Sequence, residues 1–386
     1  MSSAQYVPFD APLAQYDAQA HQLLAGHASG DATAIDILRT TLPRFLDPEV
    51  TWKPLHLSDD QIRAAPLTID DTRLALARAY SFRDWDALTA YVNDVSAPES
   101  PVWQFEAAVE AIITGDLAGL RAMLAASSAL VRARSTRITC HDPAVHGATL
   151  LHYLGANGVE CYRQRTPANA VDIAALLLEH GAEVDALAGM YGGQYATLRM
   201  LISSSPPADA GVQVALVNTL LDHGAAIDGI GSATWQSPVM TALIFGFRDA
   251  AEAVAARGAS VDRLVIAAGL GRTDACRALL ASANSEERHQ ALALAALNGH
   301  VDIVELLLDA GESPDRLNPE GMHSHQTPLH SAALSGNLAL AQLLVTRGAQ
   351  LNTRDTLWNT TPLGWAMYAG HEPVAAYLLG QGATDD

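Results

Sequence analysis

Positive charge is what this chain has least of. In 386 residues, 23 Lys and Arg stand against 42 Asp and Glu, a formal net charge of -19. Binding to nucleic acid needs a basic footprint, and an anionic membrane surface asks for the same, so neither partner is expected. Cysteine is nearly absent. Cys140, Cys161 and Cys276 show no paired spacing, which excludes a disulfide scaffold or zinc knuckle and fits a reducing, cytoplasmic setting. Apolar runs such as Ile173 to Leu178 are far too short to cross a bilayer. The first residues lack a basic stretch followed by an apolar run, so no signal peptide is expected. Catalytic signatures are missing too: the chain has no glycine-rich phosphate loop, no G-x-S-x-G and no H-E-x-x-H. Gly269-Leu270-Gly271 falls in a turn between helices, so it is no dinucleotide fingerprint. No catalytic residue, cofactor or metal site is assigned.

What is present is repetition. Thr327 to Ala349 reads T-P-L-H-S-A-A-L-S-G-N-L-A-L-A-Q-L-L-V-T-R-G-A. Thr327 can cap a helix that Pro328 starts, because the first helical N–H has no partner to lose. Leu329, Ala332 and Ala333 give it an apolar face, and Gly336 permits the left-handed turn that stops it. Leu340, Leu343, Leu344 and Val345 face inward from a second helix that ends at Gly348. Ser237 to Ala259 and Thr361 to Ala383 repeat the scheme. This pattern resembles the ankyrin repeat family. The resemblance implies an all-α solenoid of helix pairs with β-hairpin fingers, built to bind other proteins.

Gly181, Gly224, Gly258, Gly311, Gly348 and Gly382, all but Gly311 followed by alanine, mark the ends of second helices at intervals of 43, 34, 53, 37 and 34 residues. Against a period of about 33 residues, two intervals carry insertions and the longest holds two shortened units. Roughly eight units are expected over residues 101–386. Residues 1–98 read as a helical capping region, bounded by Ala97-Pro98-Glu99-Ser100-Pro101. Its string A-L-A-R-A-Y-S-F-R-D-W-D-A-L resembles a segment that often precedes ankyrin arrays in bacterial proteins. In the family, a His after T-P-L bonds to backbone; His152 and His330 hold that place, with Met240 and Gly364 as exceptions.

Departures from the repeat are where function is sought. The insertion at 159–169 carries Tyr162, Arg163 and Arg165 in a chain poor in cations, and Arg presents a planar fork for carboxylate or phosphate. A second insertion, 203–211, occupies the same loop one unit later. The long finger 318–326 carries His323 and His325, two apart and so on one face of extended chain. Fingers also carry Tyr191, Trp235 and Trp358, with Trp365 just beyond, as aromatic anchors. The expected function is recognition of a protein partner by the concave face and fingers. The alternative is a small-molecule pocket, with or without catalysis, built from the loops 159–169, 203–211 and 318–326.

Overall fold

The computed structural model describes residues 6–98, 100–155, 159–230 and 237–384. The chain divides into two compact units, Met1–Ala225 with Ile230–Ala233, and Ala226–Gly229 with Thr234–Asp386.

The first unit begins with five helices: α1 (Leu13–Ser29), α2 (Ala32–Thr41), α3 (Asp59–Ala64), α4 (Ile69–Ala79) and α5 (Trp85–Val95). Local chemistry sets their ends. Asp31 accepts from the Ala34 amide at the start of α2, and capping boxes pair Ser58 with Gln61 and Thr68 with Asp71. At Gly26 a side chain has no room: an added Cβ would meet the Ala34 Cβ at 2.8 Å, so α1 and α2 touch there. Tyr16, Leu76, Tyr80, Phe82, Leu88 and Tyr91 form the core of this region.

Helix pairs follow. In the first unit they comprise α6 (Pro101–Thr114) with α7 (Leu117–Ala126), α8 (Ala170–Glu179), α9 (Thr197–Leu201), α10 (Ser205–Asp209) and α11 (Gln213–Asp222). Where α8 needs an inner partner, the chain forms a tighter 3-10 helix, Leu150–Gly155. Backbone of the next unit crowds Gly155, where a Cβ would stand 2.9 Å from the Leu201 nitrogen. Before α9 stands a finger made of β1 (Leu187–Met190) and β2 (Gly193–Ala196), antiparallel with Leu187 opposite Ala196. The insertion 203–211 folds into α10 instead of standing up as a loop.

The second unit stacks five pairs: α12 (Pro238–Ile244) with α13 (Arg248–Ala256), α14 (Leu264–Gly269) with α15 (Thr273–Leu280), α16 (Ser285–Leu297) with α17 (Val301–Asp309), α18 (Pro328–Leu334) with α19 (Leu338–Thr346), and α20 (Pro362–Tyr368) with α21 (Glu372–Gly380). One continuous core runs from α14 to α21, with Leu264, Ala268, Leu292, Ala296, Leu329, Ala333, Leu363 and Ala366 all buried. Alanine at the helix contacts lets successive inner helices approach closely.

Neighbouring pairs are also pinned by polar side chains. Carbonyls at the end of an inner helix have no partner within it. The residue just before the outer helix of the following pair supplies one. Asn169 Nδ2 reaches the Gly115 oxygen at 2.9 Å, His300 Nε2 the Gly269 oxygen at 2.9 Å, Asn337 Nδ2 the Gly299 oxygen at 3.3 Å, and His371 Nε2 the Leu334 oxygen at 2.9 Å. His152 and His330 work at the other end. Nδ1 of each accepts from the amide of Thr149 or Thr327, at 3.2 Å in both cases. Nε2 then donates to the next finger, to the Tyr195 oxygen at 3.1 Å or the Thr360 oxygen at 3.2 Å. Both rings are neutral in this arrangement, because one nitrogen accepts.

Burial pushes the His152 pKa down to about 4, only partly opposed by its bond to Tyr195. A depressed histidine favours the folded chain fully above the unfolded value, near 6.5, and the advantage is lost as pH falls toward 4. Urea titrations should therefore show stability falling by about 3 kcal/mol between those pH values from this group alone. His330 shifts in the same direction and adds to the loss.

Candidate functional site

The strongest concentration of chemistry lies in the first unit, around the insertion 159–169. Cys161–Arg163 forms a single 3-10 turn, and that turn sends Arg163 inward. Its side chain is 2% exposed, with Nη2 2.6 Å from Glu106 Oε2 and Nη1 3.3 Å from Glu160 Oε2. Arg137, equally buried, lies 3.3 Å from Glu106 and 3.8 Å from Glu160. Neutral partners complete the cluster. The Tyr91 hydroxyl donates to Glu106 at 3.1 Å, the Tyr153 hydroxyl to Glu160 at 2.7 Å, and His146 Nε2 to Glu160 at 2.9 Å. The Ala148 amide donates to His146 Nδ1, which fixes the proton of a neutral ring on Nε2. Arg137 is sandwiched between rings, 4.5 Å from the centre of Phe82 and 4.3 Å from that of Tyr91.

Burial alone would push Glu160 up. Arg137, the His146 hydrogen bond and Arg163 outweigh it and hold the carboxyl far below the usual carboxylate range. Two carboxylates and two guanidinium groups cancel, so the cluster neutralises itself. It joins α5, α6, the strand-like segment at 137–139 and the insertion into one packed block, with Phe82 bridging to Thr139.

This corrects the rim reading of Arg163. The arginine is spent on internal acids and presents no fork to solvent. Tyr162 is half-buried, stacked between Tyr6 at 5.0 Å and Tyr80 at 5.3 Å. Arg165 does stay outside, 4.0 Å from Glu110. Glu106, Arg137 and Glu160 escaped sequence reasoning. A signal existed: Glu106 shares a helix face with Val109 and Ile113, three and seven residues on, and a carboxylate on such a face requires a buried partner.

The finger residues fall in separate places. Tyr191 tops the β1–β2 hairpin in a left-handed conformation, φ 50, with its ring 6.5 Å from His141 and 6.4 Å from Tyr195. Trp235 lies outside the described residues. In the second unit the finger 318–326 lies against the inner helices. His323 Nε2 donates to the Ile244 oxygen of α12 at 3.1 Å, and its ring is 6.2 Å from Phe245. Met322, beside it, is buried. His323 and His325 rings stand 6.0 Å apart and nearly perpendicular. Among the described residues, no group of three or more His, Cys, Asp or Glu could hold a metal ion.

Asp355 organises the following finger. Its carboxylate accepts from the amides of Leu357, Trp358 and Thr360 and from Trp365 Nε1 at 3.1 Å. Trp358 and Trp365 are thereby half-buried and fixed. Next to them α20 leaves apolar surface uncovered. Tyr368 is 83% exposed and Met367 57%, and the Tyr368 ring meets Trp365 edge-on at 6.0 Å. Leu334, at the place Tyr368 takes one unit later, is 39% exposed. No sequence reading singled out Tyr368. Its signal is position: aligning T-P-L-H-S-A-A-L with T-P-L-G-W-A-M-Y puts an aromatic where the preceding unit has leucine.

Known proteins share this architecture. A family model described as ankyrin repeats (3 copies) matches residues 263–318 and 312–385. Cyclin-dependent kinase inhibitor 2A of Homo sapiens is 34% identical over 125 residues, which is 31% of this chain and 76% of that protein. The chain belongs to the ankyrin-repeat family. Longer relatives share shorter stretches. The inactive serine/threonine-protein kinase TEX14 of Mus musculus is 39% identical over 82 residues, 21% of this chain. Ankyrin repeat and SAM domain-containing protein 6 of Rattus norvegicus is 35% identical over 100 residues, 26% of this chain. The chain spans only 5% and 11% of those two proteins. No helix among the described residues is long and apolar enough to cross a membrane.

Arg163→Ala leaves two buried carboxylates with one cation between them. It is expected to cost roughly 3–5 kcal/mol of stability. Arg165→Ala, exposed and loosely paired, should stay within about 0.5 kcal/mol of the parent. Thermal and urea unfolding of the two variants side by side checks both. Equal small effects would return Arg163 to a surface role.

Proposed function

We propose that the chain is a protein-binding module whose contact surface is the inner-helix face of α18 and α20, the latter carrying Trp365, flanked by the fingers that carry His325 and Trp358. The observation that carries this is the exposure of Tyr368 and Met367 beside Trp365, on a helix whose remaining residues are buried. Tyrosine, tryptophan and methionine are the side chains that anchor protein interfaces, since each covers much apolar area at little cost in conformational freedom. Asp355 holds the Trp365 ring and the backbone at Trp358 in place before any partner arrives, so less ordering has to accompany binding. The inhibitor of cyclin-dependent kinase named above is in kind a protein that acts on another protein, which accords with this reading.

The pocket alternative has less behind it. Loops 159–169 and 203–211 belong to one compact unit and 318–326 to the other. Arg163, its strongest ligand-binding side chain, is committed internally. A reducing, cytoplasmic setting rests on the three free thiols. The relatives named above are mammalian, so the bacterial character rests on the N-terminal segment alone.

The test is affinity capture from cells followed by measurement of the recovered protein's binding to purified chain. Tyr368→Ala should weaken that binding at least tenfold while leaving the melting temperature unchanged, because the side chain is exposed. An unaltered affinity in Tyr368→Ala and in Trp365→Ala would move the contact surface elsewhere.

A further inference from the structure

Among the described residues, one buried cation in the array has no counter-charge. Ala196-Thr197-Leu198-Arg199 aligns with Thr327-Pro328-Leu329-His330, so Arg199 takes the place that His330 holds in its own unit and His152 in the unit before. The two histidines are neutral and fully bonded there. Arg199 brings a permanent positive charge to the same buried place, where it is 4% exposed. Its Nε and Nη1 are both buried and neither has a hydrogen-bond partner. Thr197 Oγ1, two residues away and buried, is unpartnered as well. Among the described residues no Asp or Glu is paired with Arg199, although acids outnumber bases nearly two to one along the chain.

Packing does not require the charge. One unit later the same place is filled by Met240, an unbranched apolar side chain that is 3% exposed. An arginine cannot shed its proton to escape burial, so an unpaired guanidinium here is costly. The contrast with Arg137 and Arg163 is direct: those two are equally buried and each faces two carboxylates.

We infer that Arg199 is the anchor of a binding site for a single carboxylate supplied from outside the chain. The planar guanidinium fork matches the two oxygens of a carboxylate in geometry and charge. The guanidinium carries one positive charge, so one carboxylate balances it and a phosphate dianion would not be neutralised. The site lies in the first compact unit, apart from the Tyr368 surface, and does not depend on the proposal made for it. The carboxylate has two possible sources, a free small organic acid or a Glu or Asp side chain of a partner.

The experiment is thermal unfolding of the full chain in sodium acetate against sodium chloride at equal ionic strength, repeated with acetyl-Ala-Glu-Ala-amide and its Gln counterpart. Wild type should gain melting temperature with acetate or with the Glu peptide, in a saturable way. Arg199→Met, which copies Met240, should bind the same probe at least tenfold more weakly. Response to acetate alone points to a free acid; a tighter response to the Glu peptide, with the Gln peptide silent, points to an acidic partner. No carboxylate-specific gain in wild type, or an equal gain in Arg199→Met, overturns the proposal. Should Arg199→Met fail to fold, the Nε–H resonance of Arg199 is followed in wild-type chain labelled with 15N-arginine and assigned through Arg199→Lys. A saturable shift with the probe supports the site, and a resonance that does not move removes it.

Discussion

A short helix pair with one apolar flank can bury that flank only against another pair. Everything in this chain follows from that dependence. Inner helices of six or seven residues, such as α12, α14 and α18, are too short to be stable alone and are almost entirely buried by their neighbours. The same dependence explains where the polar side chains went. A stacked inner helix buries its terminal carbonyls, which must find donors in the next pair, and His300, Asn337 and His371 provide them. Unit-to-unit cohesion is thus both apolar and hydrogen-bonded, and each bond crosses a boundary that a single unit could not satisfy.

The fold was legible because the repeat states its rules locally. Thr327-Pro328, Gly336 and Gly348 announce a start and two stops, and the structure places α18 and α19 between them. Histidine roles were legible for the same reason. Side-chain burial outside the repeat was not. Nothing in V-E-C-Y-R-Q-R-T-P says that Cys161–Arg163 will coil into a turn and drive Arg163 onto Glu106, which is fifty-odd residues away in sequence. Such a contact depends on how non-adjacent segments dock, and spacing carries no information about it. Tyr368 was missed for a different reason: it obeys the helical pattern perfectly, and only accessibility separates it from a core residue.

Charge is handled in two ways in this acidic chain. Most acids line the surface, where several pair with arginines at helix ends, as Glu305 and Asp309 do with Arg347. Such exposed pairs contribute little to stability. Glu106 and Glu160 are the opposite case. They are buried with two arginines, a histidine and two tyrosines in an arrangement that tolerates no missing member. The cluster sits where the N-terminal helices meet the first helix pair, with Tyr91 of α5 and Glu106 of α6 bonded to each other.

The finger 318–326 runs from the start of α18 back to the end of α12, passing the pairs α14–α15 and α16–α17. Asn298 of α16 reaches the Leu243 oxygen in α12 and so spans α14–α15 as well. An array of stacked pairs behaves as a spring, flexing a little at every junction. Here a strap is fastened across three successive junctions, so bending in that stretch must break a hydrogen bond as well as slide a surface. The junction between α18 and α20 is tied pair to pair as well, from His330 to the Thr360 oxygen, from His371 to the Leu334 oxygen and from the Thr356 amide to the His325 oxygen. The stretch that carries the exposed aromatics is therefore braced against bending, and its surface keeps one shape.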